Sequence, residues 1–169
     1  LCSGNYYENK LKEELLENYN KFTMPSNKSL INLQMGIAFR AFNNIDQIDG
    51  TLTTNIWLRH YWNDNYLTWN PADYNNLTEI SLPTNPELDQ SIWVPDIYLY
   101  NTAELPLQDL DHSLAVIDYQ GNVLWSRPGI VMSTCVFMLE DFPYDQQECY
   151  LKFGSWSYNK EKLNLSFWT

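Results

Sequence analysis

Cys135 and Cys149 enclose thirteen residues, VFMLEDFPYDQQE, that set Val136, Phe137, Met138, Leu139, Phe142 and Tyr144 around Pro143. Two thiols at this separation are a candidate disulfide. Closing a loop of about fifteen residues would remove roughly 3 kcal/mol of unfolded-chain entropy. Three sequons, at Asn27, Asn76 and Asn164, fit the oxidising, extracellular setting in which such a bond and its neighbouring glycans occur. The third cysteine, Cys2, is either free or paired with a group outside the sequence.

Other chemistry-bearing residues are sparse. The two histidines, His60 and His112, have no nucleophile motif around them, which speaks against an enzyme. Asn44, Asp46 and Asp49 in NNIDQIDG lack the spacing and terminal Glu of a calcium-binding helix-loop-helix. They read as a solvated acidic turn, with a weak calcium site as the alternative. No cofactor and no metal are expected. A net charge of -11 excludes a nucleic-acid partner, which needs a basic footprint. That charge suits steering of a cationic ligand, or simply solubility.

The elements that would carry these groups fit one domain over residues 1–169. Leu11, Leu15 and Tyr19 recur at helical spacing in YYENKLKEELLENYN, which predicts an amphipathic helix over about 6–20, ended by Pro25-Ser26-Asn27. From about residue 31 the pattern alternates. LQMGIAFRAF places Leu33, Met35, Ile37, Phe39 and Ala41 on one face. In LTTNIWLRHYW, Leu52, Ile56, Leu58 and Trp62 share one parity, and Trp57 falls with the polar residues on the other. A Trp on the wet face requires a cover.

Further strands are expected in SIWVPDIYLY, HSLAVIDY, GNVLW, GIVMSTCVFML, CYLKF and KLNLSFW, with turns at Tyr119–Asn122 and Arg127-Pro128-Gly129. Many short strands at this spacing predict an antiparallel β-sandwich. No run of eighteen apolar residues occurs, and LCSGNYYENK has neither a basic start nor an apolar core, so any secretion signal is expected to have been removed.

LKEELLENYN, LTTNIWL, WNPADY, WVPDIYLYN, RPGI, the Cys135–Cys149 loop with its Phe-Pro-aromatic-Asp, and KFGSWSY follow one another in order. This collinear set resembles the extracellular domain of pentameric ligand-gated ion channels of the nicotinic acetylcholine receptor type. The resemblance implies an N-terminal helix followed by an immunoglobulin-like β-sandwich, five subunits in a ring, and a small cationic amine such as acetylcholine held between neighbours. An aromatic cage suits that ligand, because ring quadrupoles attract a cation without burying a carboxylate.

By the same resemblance Tyr100, Trp156 and Tyr158 form the principal face, and Trp57, Leu114, Leu124 and Ser126 the complementary face. Trp125 lies between two of these, so a one-residue slip would reverse the face. Trp156 alone, following CYLKF, would read as an ordinary core Trp. Asp96 is expected to buttress the Trp156 loop, with Trp93 and Pro95 in packing roles. The apolar loop residues have two readings, folding back as a satellite cluster or docking elsewhere. The resemblance implies the second: the disulfide loop, with Phe142, Pro143, Tyr144 and Asp145, contacts the channel domain at the membrane, and the Phe142-Pro143 bond is cis.

One departure stands out. The family's third principal loop, with two tyrosines and often a cysteine pair, and the last strands of its sandwich would follow Ser166-Phe167-Trp168-Thr169, so either the natural chain continues or the cage does not close. A soluble secreted pentamer and a structural subunit without agonist binding are the alternatives. Residues 81–92 also look longer than the usual connection.

Overall fold

The computed structural model describes residues 3–25, 30–103, 110 and 112–168. The Asn27 sequon and the pairing of Cys2 lie outside the described residues. Helix α1 spans Ser3–Leu16, so it ends at Leu16 rather than at residue 20. The reason is asparagine chemistry. Glu17 N–H still donates to Glu13 C=O at 3.0 Å, but Asn20 Oδ1 then accepts the Phe22 N–H at 3.0 Å. Such local side-chain bonds compete with the helix. Leu11 is fully buried, and Leu15, Leu16 and Tyr19 pack against the core. The Tyr19 hydroxyl donates to Asp64 at 2.6 Å and accepts the Trp93 N–H at 3.1 Å, tying the helix to the sandwich.

Among the described residues eight strands follow: β1 Ile31–Asp46, β2 Thr51–Asn63, β3 Glu79–Leu82, β4 Ile97–Leu99, β5 Ala115–Asp118, β6 Asn122–Thr134, β7 Phe153–Ser155 and β8 Leu163–Phe167, with a 3-10 turn at Pro71–Tyr74 between β2 and β3. Six form a sheet in the order β3-β5-β6-β2-β1-β8, and β4 pairs with β7 in a second. All pairings are antiparallel except β1 with β8, which is parallel from Ile31↔Leu163 to Met35↔Phe167. Leu33, Ile56, Leu58, Val123 and Trp125 of the large sheet share one buried cluster with Ile97 and Leu99 of the small one. The expected mainly-β sandwich behind an N-terminal helix is therefore present.

Several boundaries differ from the sequence reading. Arg127-Pro128-Gly129 is mid-strand, because β6 runs unbroken with Pro128 opposite Trp57. β5 pairs only with Val123 and Leu124, and the next bridge on that side is Thr102↔Ser133, so β6 is an edge at Pro128, where a residue without an N–H is tolerated. The strand ending at Thr134 does not include CVFML, and CYLKF contributes only Phe153 to β7. β3 carries no expected strand at all.

On β1, burial alternates at Ile31, Leu33 and Met35, but Ile37 and Phe39 are exposed beyond the last β8 pair. The connection over 81–92 is held by Thr84 Oγ1 donating to Ser113 C=O at 2.7 Å and by Lys21 Nζ donating to Leu88 C=O at 2.6 Å. Among the described residues no helix is long and apolar enough to cross a membrane.

Candidate functional site

β4 and β7 pair with Tyr98 opposite Gly154. The pleat buries Ile97 and Leu99 and turns Tyr98 outward, with Tyr100 two residues on at the same parity. Tyr100 then lies across β7: its N–H donates to Lys152 C=O at 2.7 Å and its hydroxyl to Ser155 C=O at 2.6 Å. Only a glycine leaves room beneath it. A Cβ on Gly154 would stand 2.5 Å from Tyr100 Cε2.

Asp96, just before β4, frames the turn after β7. Ser155 Oγ donates to Asp96 Oδ1 and Ser157 N–H to Oδ2, both at 2.6 Å, while the Trp156 N–H donates to the Asp96 carbonyl at 3.2 Å. Ser155 Oγ also accepts the Tyr158 N–H at 2.9 Å. These bonds fix the main chain and leave the Trp156 indole 72% exposed, so it is not the ordinary core Trp that composition alone implies. Its ring centroid lies 5.9 Å from Tyr98 and 6.3 Å from Tyr100. Three aromatic rings therefore make one solvent-facing cluster. Tyr158 is not part of it; its ring sits 6.3 Å from Trp93 and packs partly on the core.

The second set lies on the large sheet. Cross-strand pairs share a face. Trp57↔Pro128, Arg59↔Ser126 and Tyr61↔Leu124 therefore put Leu124 and Ser126 on the Trp57 face, and Val116↔Leu124 extends it toward β5, beside exposed Leu114. Trp125 is buried and points the other way. Trp57 is 40% exposed, and the Arg40 guanidinium stands 5.3 Å from its ring centre. The two sets occupy different sheets.

Cys135 and Cys149 are bonded, with Cα atoms 5.4 Å apart, and the Phe142-Pro143 peptide is cis. The loop's apolar side chains do not fold back as a cluster: Val136, Met138, Phe142 and Tyr144 are all exposed. Gln147 braces the loop, with Oε1 accepting the Met138 N–H at 2.9 Å and Nε2 donating to Met138 C=O at 2.7 Å and to Asp145. Asp46 Oδ1 accepts the N–H groups of Ile48 and Asp49 at 2.9 and 3.0 Å, a turn-capping use of the acidic NNIDQIDG segment. Asn76 lies on an exposed turn with φ 59°, and the Asn164 amide donates to Asn32 Oδ1 at 3.0 Å.

Sequence reasoning missed Tyr98, Gly154, Ser155 and Arg40. Tyr98 was legible, since it shares parity with Tyr100; the other three depend on approaches between strands distant in sequence. Gly154→Ala is expected to push the Tyr100 ring off β7 and break its bond to Ser155 C=O, because backbone and ring cannot both yield. The measurement is Tyr100 ring placement in a crystal structure of the variant, and an unmoved ring would contradict the account.

A model of neurotransmitter-gated ion-channel ligand binding domains matches residues 8–169. The chain is 35% identical over 158 residues to acetylcholine receptor subunit alpha-like 2 of Drosophila melanogaster, covering 92% of this chain and 27% of that one. It is 35% identical over 166 residues to neuronal acetylcholine receptor subunit alpha-6 of Homo sapiens, covering 97% and 33%. Neuronal acetylcholine receptor subunit beta-2 of Rattus norvegicus is likewise 35% identical over 172 residues, covering 98% and 33%. The chain thus spans about a third of the length of the curated relatives it matches.

Proposed function

Because this chain belongs to the family of neurotransmitter-gated ion-channel ligand binding domains, we propose that residues 1–169 form a single extracellular domain that binds a small cationic amine such as acetylcholine between neighbouring subunits of a pentamer. One observation carries this reading. Two aromatic sets, Tyr98, Tyr100 and Trp156 on one sheet and Trp57 on the other, both face solvent on one chain. Each is half of a cage, completed by the opposite set of a second subunit. Rings on several sides of a desolvated cation supply the attraction, and the chain's negative net charge draws the ligand in.

Tyr100 and Trp156 supply the principal face, and Asp96 holds it in place. Trp57 is the main ring of the complementary face, flanked by Leu114, Leu124 and Ser126. Tyr158 supports the Trp156 turn from the core side. The disulfide loop, with Phe142, Pro143, Tyr144 and Asp145 at its tip, is the element that couples binding to a channel domain in the membrane. Its exposed apolar side chains favour that role over a soluble pentamer. Asn27, Asn76 and Asn164 are the glycan acceptors of this extracellular setting.

The test is acetylcholine titration of the full-length chain assembled with its subunits. Trp57→Ala is expected to weaken binding about tenfold, the loss of one partly desolvated cation–ring contact. An unchanged titration curve would remove Trp57 from the site.

A further inference from the structure

Arg40 sits where β1 slips its register. Phe39 pairs with Ile56 and Ala41 with Asn55, so Arg40 is the extra residue of a β-bulge. Ala38, two residues earlier, is the direct partner of Trp57. A bulge re-aims its side chain, and here the guanidinium is brought to 5.3 Å from the Trp57 ring centre, within cation–π range. The residue is exposed and has no ion-pair partner among the described residues, although the chain is rich in acids. The indole is the only partner found for it there.

We infer that Arg40 is an internal competitor for the amine: in the unliganded chain its guanidinium occupies the Trp57 ring, and a cationic ligand must displace it. This rests on the proposed site at Trp57 and adds to it a residue that sets affinity. A guanidinium on the ring satisfies the quadrupole with a group held on the same chain, so each ligand gains only the difference between its own contact and that of Arg40. The displacement lowers the affinity of every amine by one common factor, so Arg40 sets the concentration at which the site fills and not the ranking of ligands.

The experiment is hydroxyl-radical footprinting of the full-length chain in its assembled form, with oxidation of the Trp57 peptide read by mass spectrometry as choline is titrated. Arg40→Gln removes the cation from the ring. Arg59→Gln removes a cation from the same sheet face without a ring contact to Trp57, and serves as the charge control. Without choline, Trp57 oxidation is expected to rise about twofold in Arg40→Gln and to stay unchanged in Arg59→Gln. Choline is then expected to protect Trp57 at a two- to fivefold lower concentration in Arg40→Gln, the value of an exposed cation–π contact.

The gain is expected to persist in 1 M salt, where the screening length is about 3 Å and long-range repulsion is gone. An unchanged Trp57 oxidation rate in unliganded Arg40→Gln would overturn ring occupancy. A raised rate with an unshifted choline midpoint, or a shift that disappears in 1 M salt, would overturn competition while leaving the amine site standing. Protection absent from wild type and variant alike would overturn the amine site, and the competition with it.

Discussion

Trp156→Ala is expected to lower acetylcholine affinity on the order of a hundredfold while the protein still folds. The indole is 72% exposed in the unliganded chain, so its removal opens no cavity in the core. The turn that presents it is held by main-chain and serine bonds to Asp96 that do not involve the ring. What the variant loses appears only on binding. A desolvated cation–ring contact contributes about 2 kcal/mol or more, and burial of part of the indole adds about 1 kcal/mol at roughly 25 cal/mol per Å².

A loss of about 3 kcal/mol corresponds to slightly over a hundredfold. Trp156→Phe keeps a ring of weaker quadrupole beside Tyr98 and Tyr100, and is expected to lose about tenfold. Equilibrium titration of both variants, with thermal unfolding as the folding check, decides the matter. Full affinity in a folded Trp156→Ala protein would remove the residue from the site.

How far such a site can be read in advance depends on whether its signal is local. Trp57 was legible because strict alternation along LTTNIWLRHYW puts it against the grain of Leu52, Ile56 and Leu58. Alternation fixes a face only within one strand. That Leu124 and Ser126 share the Trp57 face was implied by the resemblance alone, and its physical ground is the β2–β6 register.

Apart from the resemblance of KFGSWSY, Trp156 carried no local signal, since an apolar strand before it is equally compatible with burial. Its exposure is set by Asp96, sixty residues away. The RPG segment misled for a related reason: proline ends a strand only where its missing N–H is needed, and the edge position of β6 there comes from how short β5 is. The bulge at Arg40 has no sequence mark of its own. Its consequence, an arginine on the ring proposed to receive the ligand, became visible only through the pairing of β1 with β2.

Beneath the Trp57 face lies a group expected to make the fold acid-sensitive. His60 is fully buried on β2, its ring 5.4 Å from Trp125, and neither ring nitrogen has a hydrogen-bond partner among the described residues. Burial, and secondarily the charge of Arg127, lower its pKa from 6.5 to about 3. Between those values the unfolded chain binds a proton that the folded chain refuses, so stability is full above pH 6.5 and falls as the pH drops toward 3. The slope is roughly 1 to 1.5 kcal/mol for each pH unit.

Asp64 works in the opposite sense. Burial raises its pKa, so its contribution is present in acid and is lost as the pH rises through the folded value. Comparing a variant with wild type cancels that term. His60→Leu removes the titrating ring and its two unpaired nitrogens, each costly to bury, at the loss of one ring contact with Trp125. Near pH 7 these effects oppose one another and the two proteins are expected to be of similar stability. At pH 5 the variant is expected to exceed wild type by about 2 kcal/mol, seen as a higher unfolding midpoint whose gap widens steadily below pH 6.5. Parallel stability curves for the two proteins across pH 4 to 7 would mean that His60 accepts its proton within the fold, through a partner that a fully buried, unpaired imidazole does not have.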